Sequence, residues 1–245
     1  MLRHHPQADP DWEQQAVATI RMWRHLDADE TRRLLDQART LDRTRHWEGL
    51  DGFEITPTMR ARIAARACLL TVNIGLDLLT DVSAILVAPT SQVRWIRQGA
   101  GGSMVTESEG CLLGEAMLHG PVRIAWDRVE TEETAHVSSS VIIHEFAHKV
   151  DMADGTANGT PPIGPRDRAH RFDRALDQAW QRLRDGEPAS PLRAYAMTNR
   201  AEMFAVATEA FFLQPTGLED QFRPLYLALS DFYRQHPQAR TQIDP

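Results

Sequence analysis

Residues 138–151 read SSSVIIHEFAHKVD. Within them, His144-Glu145-Phe146-Ala147-His148 has the H-E-x-x-H spacing. On an α-helix each residue advances by about 100°, so His144 and His148 project from one face a single turn apart. Two imidazoles placed that way reach a single metal ion, and this is the arrangement of zinc peptidases. Glu145 borders the same face, where a carboxylate meets a water rather than the metal. Ile142, Ile143, Phe146 and Val150 fall on the other side, so the helix is expected to be buried behind and chemical in front. The serines ahead of it offer N-cap side chains, and no Gly or Pro interrupts it.

The rest of the chain sets bounds on this reading. Its 245 residues suit one domain, 42% apolar and 25% charged as in ordinary globular proteins. A net charge of −7 disfavours nucleic acid as the main ligand, because phosphate backbones require a basic surface. Cys68 and Cys111 have no C-x-x-C spacing, which leaves two reduced core thiols rather than a zinc finger or a disulfide framework. The first fifteen residues lack the apolar core of a secretory signal, and no apolar run is long enough to span a bilayer. A reducing cytoplasm is the expected setting, with no membrane partner.

Around the motif the chain reads as helical scaffold with a small mixed sheet. Residues 1–15 are polar and expected at the periphery, followed by helices over 16–26 and 30–41 with Asp27 or Asp29 as a cap. Residues 45–56 form a connector. Thr56 caps a helix that has Pro57 at its first position. Strands are expected at 82–89, 92–96 and 122–126. The last lies just before the motif helix, where its residues Arg123, Ile124 and Ala125 are placed to pair with an extended substrate by strand addition. A long loop over 151–165 is rich in Gly, Pro, Asn and Thr. Helices at 167–184, 199–213 and around 224–235 complete the chain.

A catalytic zinc takes three protein ligands and leaves one position open. The metzincin extension is closed, since Asp151 and Asp154 stand three and six residues past His148. A carboxylate on the 199–213 helix is the alternative. Glu202 and Glu209 share one face there, about 10 Å apart along the axis, so only one of them can bind a given ion. Asp151, two turns from His144, is positioned either to orient a ligand histidine or to close the loop that follows.

Several longer stretches resemble the Mlc titration factor A family, also called the DgsA anti-repressor family. They are HEFAHKVDMADGTANGTPP (residues 144–162), AYAMTNRAEMFAVATEAFF (194–212), GFEITPTMRARIAARACLL (52–70), GPVRIAWDRV (120–129) and LYLALSDFYRQHP (225–237). The resemblance covers most of residues 45–237, with residues 1–44 matching only loosely as a peripheral helical segment of a single 1–245 domain. It implies an α+β, mainly helical, zincin-like metallopeptidase of the gluzincin type, with a core related to that of anthrax lethal factor. It also implies one catalytic Zn²⁺ on His144, His148 and Glu202. The family's Tyr, seven residues before its ligand Glu, maps onto Tyr195, with Glu145 as general base and Glu209 left in support of the ligands. The best-known member binds the glucose-regulated repressor Mlc and shows aminopeptidase activity. Two expectations follow: a peptidase acting on a peptide or protein substrate, and a binding protein that sequesters a transcriptional repressor.

Overall fold

Cap chemistry sets where the helices of this fold begin. The computed structural model describes residues 10–18, 20, 26–90, 120–134, 139–186 and 190–238. Helix α1 spans Pro10–Val17 and α2 spans Ala28–Thr44. Asp27 caps α2 in a reciprocal box, its side chain accepting the Glu30 amide while Glu30 accepts the Asp27 amide. Strand β1, His46–Gly49, follows directly. Helix α3, Pro57–Thr71, starts at Thr56, whose Oγ1 accepts the Met59 amide at 3.2 Å. Then come β2 (Ala84–Ala88), β3 (Val122–Ala125) and α4 (Trp126–Thr134). The motif helix α5 is Val141–Asp151, capped by Ser140. Helices α6 (Arg166–Arg184), α7 (Arg200–Leu213) and α8 (Pro215–Tyr233) end the fold.

The protein is therefore a mainly helical α+β fold around one small sheet, and several sequence expectations are corrected. The sheet is not mixed among the described strands: the order is β1-β2-β3 and both pairings are parallel. Parallel neighbours need a crossover, which α3 supplies between β1 and β2. Strand β1 lies inside the expected connector 45–56, where four residues are too few to show alternation. The strand expected at 122–126 stops at Ala125, because Trp126 opens α4 and its indole donates to Glu130 one turn on at 3.0 Å. Helix α1 ends at Val17 and so meets the helix expected over 16–26 only at its first two residues; it begins at Pro10, inside the expected polar periphery, with Asp11 and Glu13 in its first turn. Ala16 is fully buried as the expected helix required, while Trp12, within the expected periphery, packs half-buried against the core. The expected strand 92–96, Cys111 and the bulk of residues 19–25 lie outside the described residues. Helix α8 begins nine residues ahead of the expected Pro224, with a break at Phe222 (φ −128°, ψ 48°). Pro224 lacks an amide proton, which suits the first turn of the segment after that break.

Helix α7 is apolar nearly all round, and such a helix is buried on every side. Phe204 and Phe211 point away from α5 into an aromatic cluster with Phe172, Phe232 and Tyr233. Each such ring contributes about 1.5–3 kcal/mol by leaving water. The Tyr233 hydroxyl is satisfied by Thr208 at 3.0 Å. This packing fixes the rotation of α7, so that Glu202 and Glu209 face α5. Among the described residues no helix is long and apolar enough to cross a membrane.

Candidate metal centre

The histidines and Glu202 converge. Nε2 of His144 and Nε2 of His148 are 3.3 Å apart, and Oε2 of Glu202 lies 3.0 Å from the first and 3.4 Å from the second. Donors on a tetrahedral zinc, each about 2.0–2.1 Å from it, stand about 3.3 Å from one another. The three measured edges match that figure. All three residues are buried, and Oε2 of Glu202 has no aligned hydrogen bond although it approaches both rings. A buried carboxylate oxygen left this way is costly unless a cation completes it. The mixed imidazole and carboxylate set is one that zinc accepts, so the residues fit a metal ion.

The electrostatics agree with a site built for positive charge. Burial works against the His144 imidazolium, yet Glu202 and Glu209 outweigh it and push this histidine up to about 10. Glu202 is driven by the two imidazoles, against its own burial, down to about 2. Without a metal, a proton on His144 takes the place of a cation between the carboxylates.

Glu209 works one layer out. Its Oε1 lies 2.8 Å from Nδ1 of His144, and its Oε2 accepts the Ser140 amide at 2.8 Å. The guanidinium of Arg193 donates to the same Oε1. The start of α5 is held a second time by Glu132 of α4, whose Oε1 accepts the Val141 amide at 2.7 Å. Its other oxygen is buried and lacks a hydrogen bond, and burial pushes the carboxyl up to about 7. Sequence reading did not single out Arg193 or Glu132. Both act on partners 9 to 16 residues away, where no local spacing marks them.

The remaining site candidates are placed as follows. Glu145 is half-buried beside the histidines, and burial raises its carboxyl above the usual range while His144 and His148 oppose the rise. Tyr195 sits on a short 3-10 turn, Ala194–Met197, before α7. It is 39% exposed, its ring centre 6.0 Å from that of His144. Asp151 is fully buried and turned to the loop: Oδ2 accepts the Gly159 amide at 2.9 Å. The hydrogen bond that orients a histidine comes from Glu209. Gly159 has φ +78°, and a Cβ there would stand 2.3 Å from the Arg200 carbonyl oxygen. The loop after α5 thus lies directly on the first turn of α7, which carries Glu202.

On β3, Arg123 and Ala125 are half-buried, while the Ile124 side chain is fully buried in the core. The strand pairs with β2 on one side and is the last in the described sheet order. Lys149, one residue past His148, donates through Nζ to the Gly120 carbonyl at 2.7 Å and so ties α5 to the chain entering β3. Burial lowers the affinity of this lysine for its proton.

Comparison with known proteins gives the family. A family model described as glucose-regulated metallo-peptidase M90 matches residues 1–234, including the N-terminal helices. Mlc titration factor A of Serratia proteamaculans is 33% identical over 246 aligned positions, covering 98% of this chain and 93% of the relative. The proteins of the same name from Yersinia enterocolitica and Salmonella typhi are each 31% identical, covering 96% and 95% of this chain and 90% and 89% of their own. With a match of that extent around a His-His-Glu cluster, the chain belongs to the glucose-regulated metallo-peptidase M90 family.

Proposed function

We propose that this protein is a zinc-dependent peptidase whose ion is held by His144, His148 and Glu202. The observation behind this reading is the triangle of 3.0, 3.3 and 3.4 Å between their donor atoms. Zinc bound there would supply Lewis acidity and make a water more acidic. Glu145, with its raised proton affinity, is suited to take the proton from that water and deliver it to the departing amine. The hydroxyl of Tyr195, a role carried over from the family resemblance, would donate a hydrogen bond to the scissile carbonyl oxygen as charge builds on it. The backbone of Arg123, Ile124 and Ala125 would align an extended peptide by strand pairing. Ile124 would take part through its main chain alone. An aminopeptidase-like preference belongs to the same proposal, as does a cytoplasmic setting, which suits the buried free thiol of Cys68.

A second reading is favoured by the name of the relatives, Mlc titration factor A. Under it the fold presents a surface to a transcriptional repressor and hydrolysis is secondary. Metal analysis of protein purified without chelators, with Glu145→Gln and His148→Ala, separates the two. The peptidase reading expects about one zinc per chain, loss of zinc in His148→Ala, and retained zinc with hydrolysis reduced by about 10²-fold or more in Glu145→Gln. Unaltered hydrolysis in Glu145→Gln would overturn it. Repressor binding that survives Glu145→Gln would support the second reading.

A further inference from the structure

Arg193 immediately precedes the 3-10 turn that carries Tyr195, and its guanidinium reaches across to a carboxylate on α7. That carboxylate, Glu209, is 2% exposed, whereas the arginine side chain is 42% exposed. A chain of contacts therefore runs inward from solvent: Arg193 to Oε1 of Glu209, and the same oxygen to Nδ1 of His144. Oε2 of Glu209 is occupied by the Ser140 amide. With both oxygens held, the carboxylate has one direction in which to face the imidazole. The contact is made by one guanidinium nitrogen, so it is a charge-assisted hydrogen bond to a single oxygen that another cationic donor of similar reach can replace.

The direction matters because an imidazole has two nitrogens. When Nδ1–H is donated to Glu209, Nε2 is the nitrogen left on the side where His148 and Glu202 converge, and a proton lost to an incoming ion leaves from there. Were Glu209 to swing away, the ring would lose the contact that sets its tautomer and its tilt. We infer that Arg193 is a positioning residue for the metal centre. It holds Glu209 so that His144 presents Nε2 to the ion, and it ties the Tyr195 turn to helices α5 and α7 at one point. This rests on the metal-site reading above and adds a residue that touches neither ion nor substrate.

The test uses the full chain with Arg193→Ala, Arg193→Lys, Glu209→Gln and the double variant Arg193→Ala/Glu209→Gln. Zinc affinity is read by competition with a chromophoric chelator, and the Nδ1 proton of His144 by NMR of zinc-free protein. Arg193→Ala is expected to weaken zinc binding about 10-fold or more and to remove the Nδ1 proton resonance. Arg193→Lys should restore most of both. The double variant should bind zinc no more weakly than Glu209→Gln alone, because the two residues act in series. Zinc binding and a proton resonance unchanged in Arg193→Ala would overturn the inference, and so would losses that multiply in the double variant. Arg193→Met, which keeps the apolar stem, replaces Arg193→Ala if that variant fails to fold. If the wild-type chain takes up no zinc, the peptidase reading falls by itself, while the proton resonance still decides the role of Arg193.

Discussion

Nδ1 of His144 lies 2.8 Å from Oε1 of Glu209, while Nε2 of the same ring faces Glu202 at 3.0 Å. One imidazole is thus bracketed by two carboxylates seven residues apart on α7. In the metal-free protein this bracket raises His144 to about 10, so its ring carries a proton at neutral pH. A metal ion must displace that proton from Nε2. Zinc uptake is therefore expected to release about one proton, with apparent affinity rising about tenfold per pH unit below pH 10. Titration calorimetry in buffers of different ionisation enthalpy measures the proton count. A count of zero would contradict the bracketed arrangement.

Gly159→Ala would put a methyl group 2.3 Å from the Arg200 carbonyl oxygen at a φ of +78°. Neither the backbone oxygen nor the left-handed conformation accommodates it. A loss of about 1–3 kcal/mol in unfolding free energy is expected, measured by urea denaturation. Because the Gly159 amide also serves Asp151, the end of α5 should loosen as well, which hydrogen exchange at residues 148–152 would register.

Glu132→Gln should stabilise the protein in a pH-dependent way. The Glu132 carboxyl sits at about 7 because it is buried, with Arg66, Arg128 and Glu209 as its charged neighbours. A raised carboxyl favours the fold when protonated and loses that advantage as pH climbs from about 4.5 through 7. Glutamine keeps an acceptor for the Val141 amide without the charge. Thermal melts should show a gain over wild type at pH 8 that vanishes below pH 4.5. An equal gain at both values would mean that charge is not the cause.

Tyr195→Phe removes a hydroxyl from a residue that is 39% exposed and keeps the ring beside His144. Its kcat is expected to fall about 10²-fold, in the range for loss of one donor to a developing oxyanion. Zinc content and melting temperature should stay at wild-type values. A change confined to KM would assign the tyrosine to substrate binding instead.

Much of this architecture is local enough to read from the chain. Asp27, Thr56 and Ser140 cap helices as their side chains suggest, since a cap needs only partners three residues away. His144 and His148 meet because four residues make a helical turn. The approach of Glu202 is different, since it depends on the aromatic packing that rotates α7, and the resemblance supplied what periodicity left open. The Arg193–Glu209 contact, the Glu132 cap and the Gly159 approach were not legible. Each brings together groups from separate elements, side chain or backbone, and nothing in the residue types announces the partner. Strand β1 escaped notice because four residues carry no period, and α1 because its charged first turn reads as a solvated end.

Lys149 follows His148 in the chain, and its ammonium grips the Gly120 carbonyl at the mouth of β3. The helix is therefore tied to the chain entering that strand at this point as well as by packing. Any load on that strand is transmitted within one turn of helix to an imidazole of the cluster, which makes this lysine a strut against which the centre keeps its shape.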